Sequence, residues 1–293
     1  MEGLRGPRSV GIRSGNVNPG SGPGKAPMAW LARLRLHSLW RRAAAWAGPG
    51  LDLLCPPRCG VCGEEPAAEP AAAAGSAPGV GVCAACVRGL VDRDDRCLRC
   101  GGRCADGREC PACRRQRPAL DGVVVLGAYG DDPLRTAVLR AKRPGGEPVA
   151  AALGRLIVSR HRETLAGWRC DAVVPVPMHW SRRAMRGTSA ATEIAAQVAA
   201  DMQLSLRALL RRVRATRMQN ELPFEERPAN VHGAFRPCRG VAGLRILLVD
   251  DVVTTGGTLA ECRRVLVAAG AASVHAAAAA RAERGPDPKD EHG

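Results

Sequence analysis

Apolar positions along this chain fall into two rhythms. Residues 121–129, 171–176, 246–249 and 273–281 are short continuous runs, several rich in β-branched side chains, and read as strands; the run 246–249 has the unbroken hydrophobicity of a strand buried on both faces. Residues 133–142, 154–165, 190–202 and 259–269 carry helical patterns, the first with Asp132 as its N-cap. Residues 211–233 lose all periodicity. A polar segment of that length inside a domain is a disordered insert or an active-site lid, and its position directly before the strand at 246–249 favours a lid.

The ends of the chain read differently. Residues 1–27 are rich in Gly, Pro and Arg and are expected to be disordered, or an extension upstream of a start at Met28. Residues 30–46 form a basic amphipathic pattern that fits a short helix, residues 64–81 a flexible loop, and residues 284–293 a disordered tail. No apolar run approaches the ~20 residues that span a bilayer, and arginines interrupt every candidate signal core, so a cytoplasmic location is expected.

The strand at 246–249 is followed by the most informative residues in the chain: Asp250, Asp251, Val252, Val253, Thr254, Thr255, Gly256, Gly257 and Thr258. Two carboxylates stand where the strand would emerge, and a hydroxyl- and glycine-rich turn opens the next helix. Such a turn presents unobstructed backbone N–H groups to a phosphate. The adjacent carboxylates suit vicinal hydroxyls, so the whole fits a sugar phosphate better than a bare anion. Neither a Gly-Lys-Ser/Thr loop nor a Gly-x-Gly-x-x-Gly turn is present here. A second candidate anion loop follows residues 171–176, where prolines end the strand and Arg182, Arg183, Arg186 and Gly187 precede a helix.

Composition changes the weight of these signals. The chain has 293 residues, 43 basic and 28 acidic, for a net charge of +15, and only three lysines (Lys25, Lys142, Lys289). With 40 arginines, any single arginine carries less meaning, whereas Lys142 and the only tyrosine, Tyr129, carry more. Nearly half of the excess charge, +7, falls in residues 1–50. The polyanion partner that +15 suggests is therefore weakly specified, and the remaining charge suits a cleft for phosphates.

Ten of the 13 cysteines lie between Cys55 and Cys113, and eight form Cys-x-x-Cys pairs: Cys59/Cys62, Cys83/Cys86, Cys97/Cys100 and Cys110/Cys113. Two pairs complete a tetrahedral thiolate site for Zn2+, so two structural zinc ions are expected. Sequential pairing is the simplest assignment, with the first four cysteines around one ion and the last four around the other. Cys55 and Cys104 fall outside the spacing. Four thiolates leave no open position, so the zinc is expected to be structural.

The string from 246 to 258 resembles the phosphoribosyl pyrophosphate (PRPP) signature of type I phosphoribosyltransferases. With the cysteine pairs, Tyr129-Gly130, Leu134-Arg135, Lys142, Val174-Pro175-Val176-Pro177, Arg186-Gly187, and the series Arg214, Thr216, Gln219, Arg227, Asn230-Val231, Gly233-Ala234-Phe235, the chain resembles the ComF family of competence-associated phosphoribosyltransferase-like proteins over about residues 51–281. That family follows Arg-Gly with an aromatic, Asn and Gln; here Thr188-Ser189-Ala190 stand instead. The resemblance implies an α/β type I fold, a mostly parallel sheet flanked by helices, behind a small zinc-ribbon module. The expected division is a basic extension at 1–50, a double zinc ribbon at 51–118, a transferase domain at 119–283 and a tail.

Its implied chemistry is Mg2+-dependent binding of PRPP and transfer of the phosphoribosyl group to an unidentified acceptor. Asp250 and Asp251 would meet the ribose hydroxyls, the turn the 5-phosphate, and Arg182, Arg183 and Arg186 the pyrophosphate. Arg217, Gln219 and Arg227 would belong to a lid that excludes water. The alternative is a non-catalytic module that binds single-stranded DNA or competence proteins and uses the transferase-like domain as sensor or scaffold.

Overall fold

The computed structural model describes residues 58–65, 82–92, 96–104, 110, 113–114, 118–130, 132–178, 189–215 and 230–282, all within one compact unit of residues 48–293. Its centre is a five-stranded sheet in the order β1 (Gly122–Ala128), β7 (Ser273–Arg281), β6 (Arg245–Val253), β2 (Ala172–Pro175) and β3 (Ser205–Leu206). Every pairing in it is parallel. A second, antiparallel pair joins β4 (Leu210–Arg212) to β5 (Phe235–Pro237). The helices are α1 (Ala84–Leu90), α2 (Asp132–Ala141), α3 (Glu147–Gly167), α4 (Ala190–Asp201) and α5 (Gly257–Ala268). The expected α/β architecture, a parallel sheet flanked by helices behind a cysteine-rich module, is the one found.

Parallel strands need both faces covered, and two cores do this. On one face Val124, Leu126, Val173, Leu247, Val249 and Ala277 pack with residues of α2, α3 and α4. On the other, Val123, Val125, Val174, Ile246, Leu248 and Ala276 pack with α5 and the β4–β5 pair, around Phe235, which is fully buried. Odd and even positions of β6 therefore serve different cores, so Asp250 continues the Ile246–Leu248 side and Asp251 the Leu247–Val249 side.

Two boundaries differ from the sequence reading. Helix α3 starts at Glu147, seven residues before Gly154, with a proline in its first turn and a kink at His161. Gly154 is no helix start: it is where α4 crosses, and a Cβ there would lie 2.8 Å from Gln197 Cβ and 2.9 Å from the Ile194 carbonyl oxygen. Strand β6 also runs on through both aspartates to Val253, because β7 continues beside it and Ala282 N–H closes onto the Val253 carbonyl at 2.8 Å.

Gly154→Leu should force α3 and α4 apart and destabilise the fold by about 1–3 kcal/mol. Leu at the exposed Ala166 of the same helix should cost much less. Denaturant midpoints of the two variants check this; equal midpoints would contradict the close crossing.

Candidate ligand site and cysteine clusters

The order of strands creates the site. From β2 the chain passes through α4 outward to β3, and from β6 it passes through α5 in the opposite direction to β7. Right-handed crossovers in opposite directions put their helices on opposite faces, as α4 and α5 are. The carboxyl ends of the neighbouring strands β2 and β6 thus diverge into a crevice, the usual place for a ligand in such sheets. Pro175 pairs with Val249, and Val176 N–H donates to the Val249 carbonyl at 2.8 Å. Asp250 is the next residue along β6. The two strand ends that were picked out in the sequence are side by side.

Asp250 is enclosed on the α5 and β4 side. Burial, then the neighbouring Asp251 carboxylate, push its carboxyl up to about 7 from the ordinary 3.8, although the Asp251 N–H, Lys142 and Arg212 pull the other way. The Asp251 N–H donates to Asp250 Oδ1 at 2.8 Å. The Arg212 guanidinium lies 5.3 Å over the Phe235 ring. On the other face, Lys142, just past the end of α2, holds Asp251 with Nζ 3.1 Å from Oδ2. Burial works against the Lys142 charge, but Asp251 outweighs it and the ammonium is held above its ordinary range, with Tyr129 and Asp250 contributing. The rare tyrosine and lysine therefore meet beside the second carboxylate. Their scarcity and their place in the family resemblance are the signals in the sequence, but neither assigns Lys142 a role in the site.

The turn after β6 is built to expose backbone. Val252 and Val253 pack into the two cores, Val253 only 3% exposed, so their contribution to the crevice is main chain. Thr255 Oγ1 accepts from Gly257 N–H at 3.2 Å, and Gly256 caps α5 with φ +79°, a conformation that glycine tolerates. No acidic side chain occupies the first turn of α5, and Thr255 is the side chain seen bonded to its leading N–H. The turn and the first residues of α5 follow directly on the end of β6, the arrangement that an anion site requires.

Arg182, Arg183, Arg186 and Gly187 of the expected pyrophosphate loop, and Arg217, Gln219 and Arg227 of the expected lid, lie outside the described residues. The residues on either side of that segment are described. Arg214 donates to the carbonyls of Asn230 at 2.9 Å and His232 at 2.7 Å, tying the two ends of the segment together. Gly233 N–H donates to Glu261 Oε1 of α5 at 2.8 Å, and Arg264 holds the same carboxylate at 2.7 Å. The described residues that follow the segment are thus fixed to α5.

Among the described residues, eight cysteines gather in two groups of four, Cys59, Cys62, Cys83, Cys86 and Cys97, Cys100, Cys110, Cys113, the sequential pairing. Sulfur separations of 3.7 Å (Cys62 to Cys83), 3.6 Å (Cys97 to Cys113) and 3.5 Å (Cys100 to Cys110) are far too long for disulfides. They approach the edge of a tetrahedron around zinc, about 3.8 Å for bonds of ~2.3 Å. Backbone N–H groups point at the sulfurs, Cys83 to Cys59 at 3.3 Å and Gly102 to Cys100 at 3.5 Å. Gly63 and Gly101 close the two leading knuckles with φ +83° and +77°. Burial, then neighbouring sulfurs, raise the thiols of Cys86 and Cys113, a cost that a bound cation would reverse. This donor set could hold two zinc ions. Cys104 lies beside the second group without completing it. No helix of the described residues is long and apolar enough to cross a membrane.

Residues 146–292 match the phosphoribosyl transferase domain family. The chain is 34% identical over 208 residues to DNA utilization protein YhgH of Salmonella typhimurium, covering 66% of this chain and 87% of that protein. It is 31% identical over 201 residues to the Escherichia coli K12 protein of the same name, with the same shares. Competence protein F of Haemophilus influenzae is 28% identical over 215 residues, 69% of this chain and 91% of its own length.

Because the carboxyl of Asp250 is raised, the folded protein holds a proton that the unfolded chain loses above about 4, so stability should fall as pH rises from about 4 to 7. Asp250→Asn should remove that slope and raise Tm at pH 8, by about 2–4 °C for each kcal/mol relieved. Thermal melts of both proteins across pH 4.5–8 check it; parallel curves would contradict the enclosed carboxyl.

Proposed function

Since the chain belongs to the ComF family, built on the phosphoribosyl transferase domain, we propose that it binds PRPP with Mg2+ and transfers the phosphoribosyl group to an acceptor. The observation that carries this reading is the Asp250–Asp251 pair at the carboxyl end of β6, at the divergence from β2 and directly before the anion turn of α5. In this reading the N–H groups and hydroxyls of Thr254, Thr255, Gly256, Gly257 and Thr258 hold the 5-phosphate. Asp250 and Asp251 accept hydrogen bonds from the ribose 2- and 3-hydroxyls.

The bond between C1 of the ribose and pyrophosphate breaks as the acceptor's nucleophile closes on C1. Positive charge develops on the ring, and the two fixed carboxylates have the sign and place to stabilise it. No covalent adduct with the protein is needed. Carboxylate oxygens suit a hard cation; Asp250 and Asp251 are the oxygen donors available to Mg2+, which would offset the charge of the departing pyrophosphate. Arg182, Arg183 and Arg186, which follow β2, would grip that pyrophosphate. The segment with Arg217, Gln219 and Arg227 would close over the site and exclude water, which otherwise captures the cation. The cysteine clusters, each with four thiol ligands, would hold structural zinc behind a transferase domain, with the module at about 51–118 and the domain at about 119–283.

The relatives' names point to DNA utilisation and competence, so we place this protein in the handling of DNA taken up by the cell. A second reading, single-stranded DNA binding by the cysteine module and basic extension with no transfer, draws on those names and on the charge of +15.

Calorimetry separates the two readings. Wild type should bind Mg-PRPP, and Asp251→Asn should lose about tenfold or more, the worth of a charge-assisted hydrogen bond. No PRPP binding by a folded wild type, with salt-dependent DNA binding that survives Asp250→Asn and Asp251→Asn, would favour the second reading. Metal analysis should find two zinc ions per chain, one lost on Cys62→Ser; absence of zinc from freshly purified folded protein would contradict the assignment.

A further inference from the structure

The end of α2 touches both the first cysteine knuckle and the carboxylate pair. Arg140 Nη1 donates to the carbonyl of Val61, one of the two residues between Cys59 and Cys62 in the first cysteine knuckle. Two residues later, Lys142 reaches Asp251 at 3.1 Å. Positions i and i+2 point away from each other across a helix, so this turn spans the gap between knuckle and carboxylate. Its surroundings leave it little freedom. Val61, Cys59 and Leu90 from the cysteine module share one core with Leu134, Ala137 and Ala141 of α2, while Val149 and Leu153 of α3 close the other side.

The helix is also stopped sharply beyond Lys142. Arg143 N–H bonds the Arg140 carbonyl at 3.0 Å, Gly146 N–H the Arg143 carbonyl at 3.0 Å, and Gly145 takes φ +76°. A Cβ at Gly146 would sit 2.3 Å from the Arg140 carbonyl oxygen, so this close return admits only glycine. The second cluster is attached elsewhere: Val123 N–H of β1 donates to Leu98 O at 2.7 Å, and Arg281 of β7 donates to Cys100 O. Only the first cluster reaches the ligand site through α2 among these contacts.

We propose that Arg140 is a positioning residue that acts through Lys142, so that the Cys59–Cys62 knuckle sets the placement of the Lys142 ammonium and, through it, of the Asp251 carboxylate. This rests on the reading of Asp251 as a ribose ligand for its effect on PRPP, but the coupling itself does not. The cation does two things at this point. It offsets the repulsion between adjacent carboxylates, and it fixes which Asp251 oxygen remains for a hydroxyl. The cysteine module is then part of what keeps the transferase site in register, and loosening the first cluster weakens the site without touching it.

The test is a double-mutant cycle in the full-length protein, with zinc content and circular dichroism confirming that each variant is folded. Lys142→Met should weaken Mg-PRPP binding about tenfold. Arg140→Gln should weaken it in the wild-type background and have no further effect beside Lys142→Met, and Arg140→Lys, which keeps a donor, should recover part of the loss. Full additivity of the two losses, or an Arg140→Gln variant that binds as wild type, would overturn the proposal. If wild type binds no PRPP, the reading of the site fails but the link is still measurable. Stability cycles between Lys142→Met and Asp251→Asn should then show a coupling that shrinks in the Arg140→Gln background, and an unchanged coupling would overturn it.

Discussion

Two adjacent carboxylates at the end of a buried parallel strand are the constraint around which this protein is arranged. Neighbouring side chains on a strand point to opposite faces, so Asp250 and Asp251 are served by different layers. Each layer supplies a cation: Arg212, from the small β4–β5 pair, acts on Asp250, and Lys142, from the end of α2, holds Asp251. The compensation is incomplete, since Asp250 remains raised to about 7. A carboxyl pushed up by burial and by an adjacent acid marks a functional site more often than a stable core.

The periphery follows from the same need. A sheet whose second strand is built from alanines brings its covering helices close, and Gly154 lets α3 and α4 touch almost backbone to backbone. Few aromatic side chains are then required. The cysteine module covers what the helices do not, with one knuckle on α2 and the other bonded to the edge strand β1 and to Arg281. A small cysteine-rich module has little core of its own, and here Cys59, Val61 and Leu90 join the core that α2 shares with the sheet.

Much of this was legible in the sequence because the signals were local. The cysteine spacing named four knuckles, whose simplest, sequential grouping is the one found, the runs at 121–129, 171–176, 246–249 and 273–281 each fell within a strand of the sheet or overlapped it, and a parallel α/β fold followed from the resemblance. What was not legible depends on contacts between distant segments. The helical pattern read from Gly154 starts seven residues late, and the glycine itself is explained by the α4 crossing. The short strands β3, β4 and β5 lack any periodicity and owe their form to their partners. Arg214 belonged to a recognisable string, yet its task, binding the Asn230 and His232 carbonyls, is visible only in three dimensions. Lys142 stood out by rarity and by its place in the family resemblance, yet no spacing rule connects position 142 to position 251.

The central claim is that the β6 end and the α5 turn together hold a ribose 5-phosphate. A crystal structure of the protein with Mg2+ and PRPP tests it most directly. The account predicts the 5-phosphate against the N–H groups of residues 254–258 and the ribose hydroxyls on Asp250 and Asp251. Ligand bound elsewhere on a well-ordered molecule, with this turn and both carboxylates left to solvent, would contradict it.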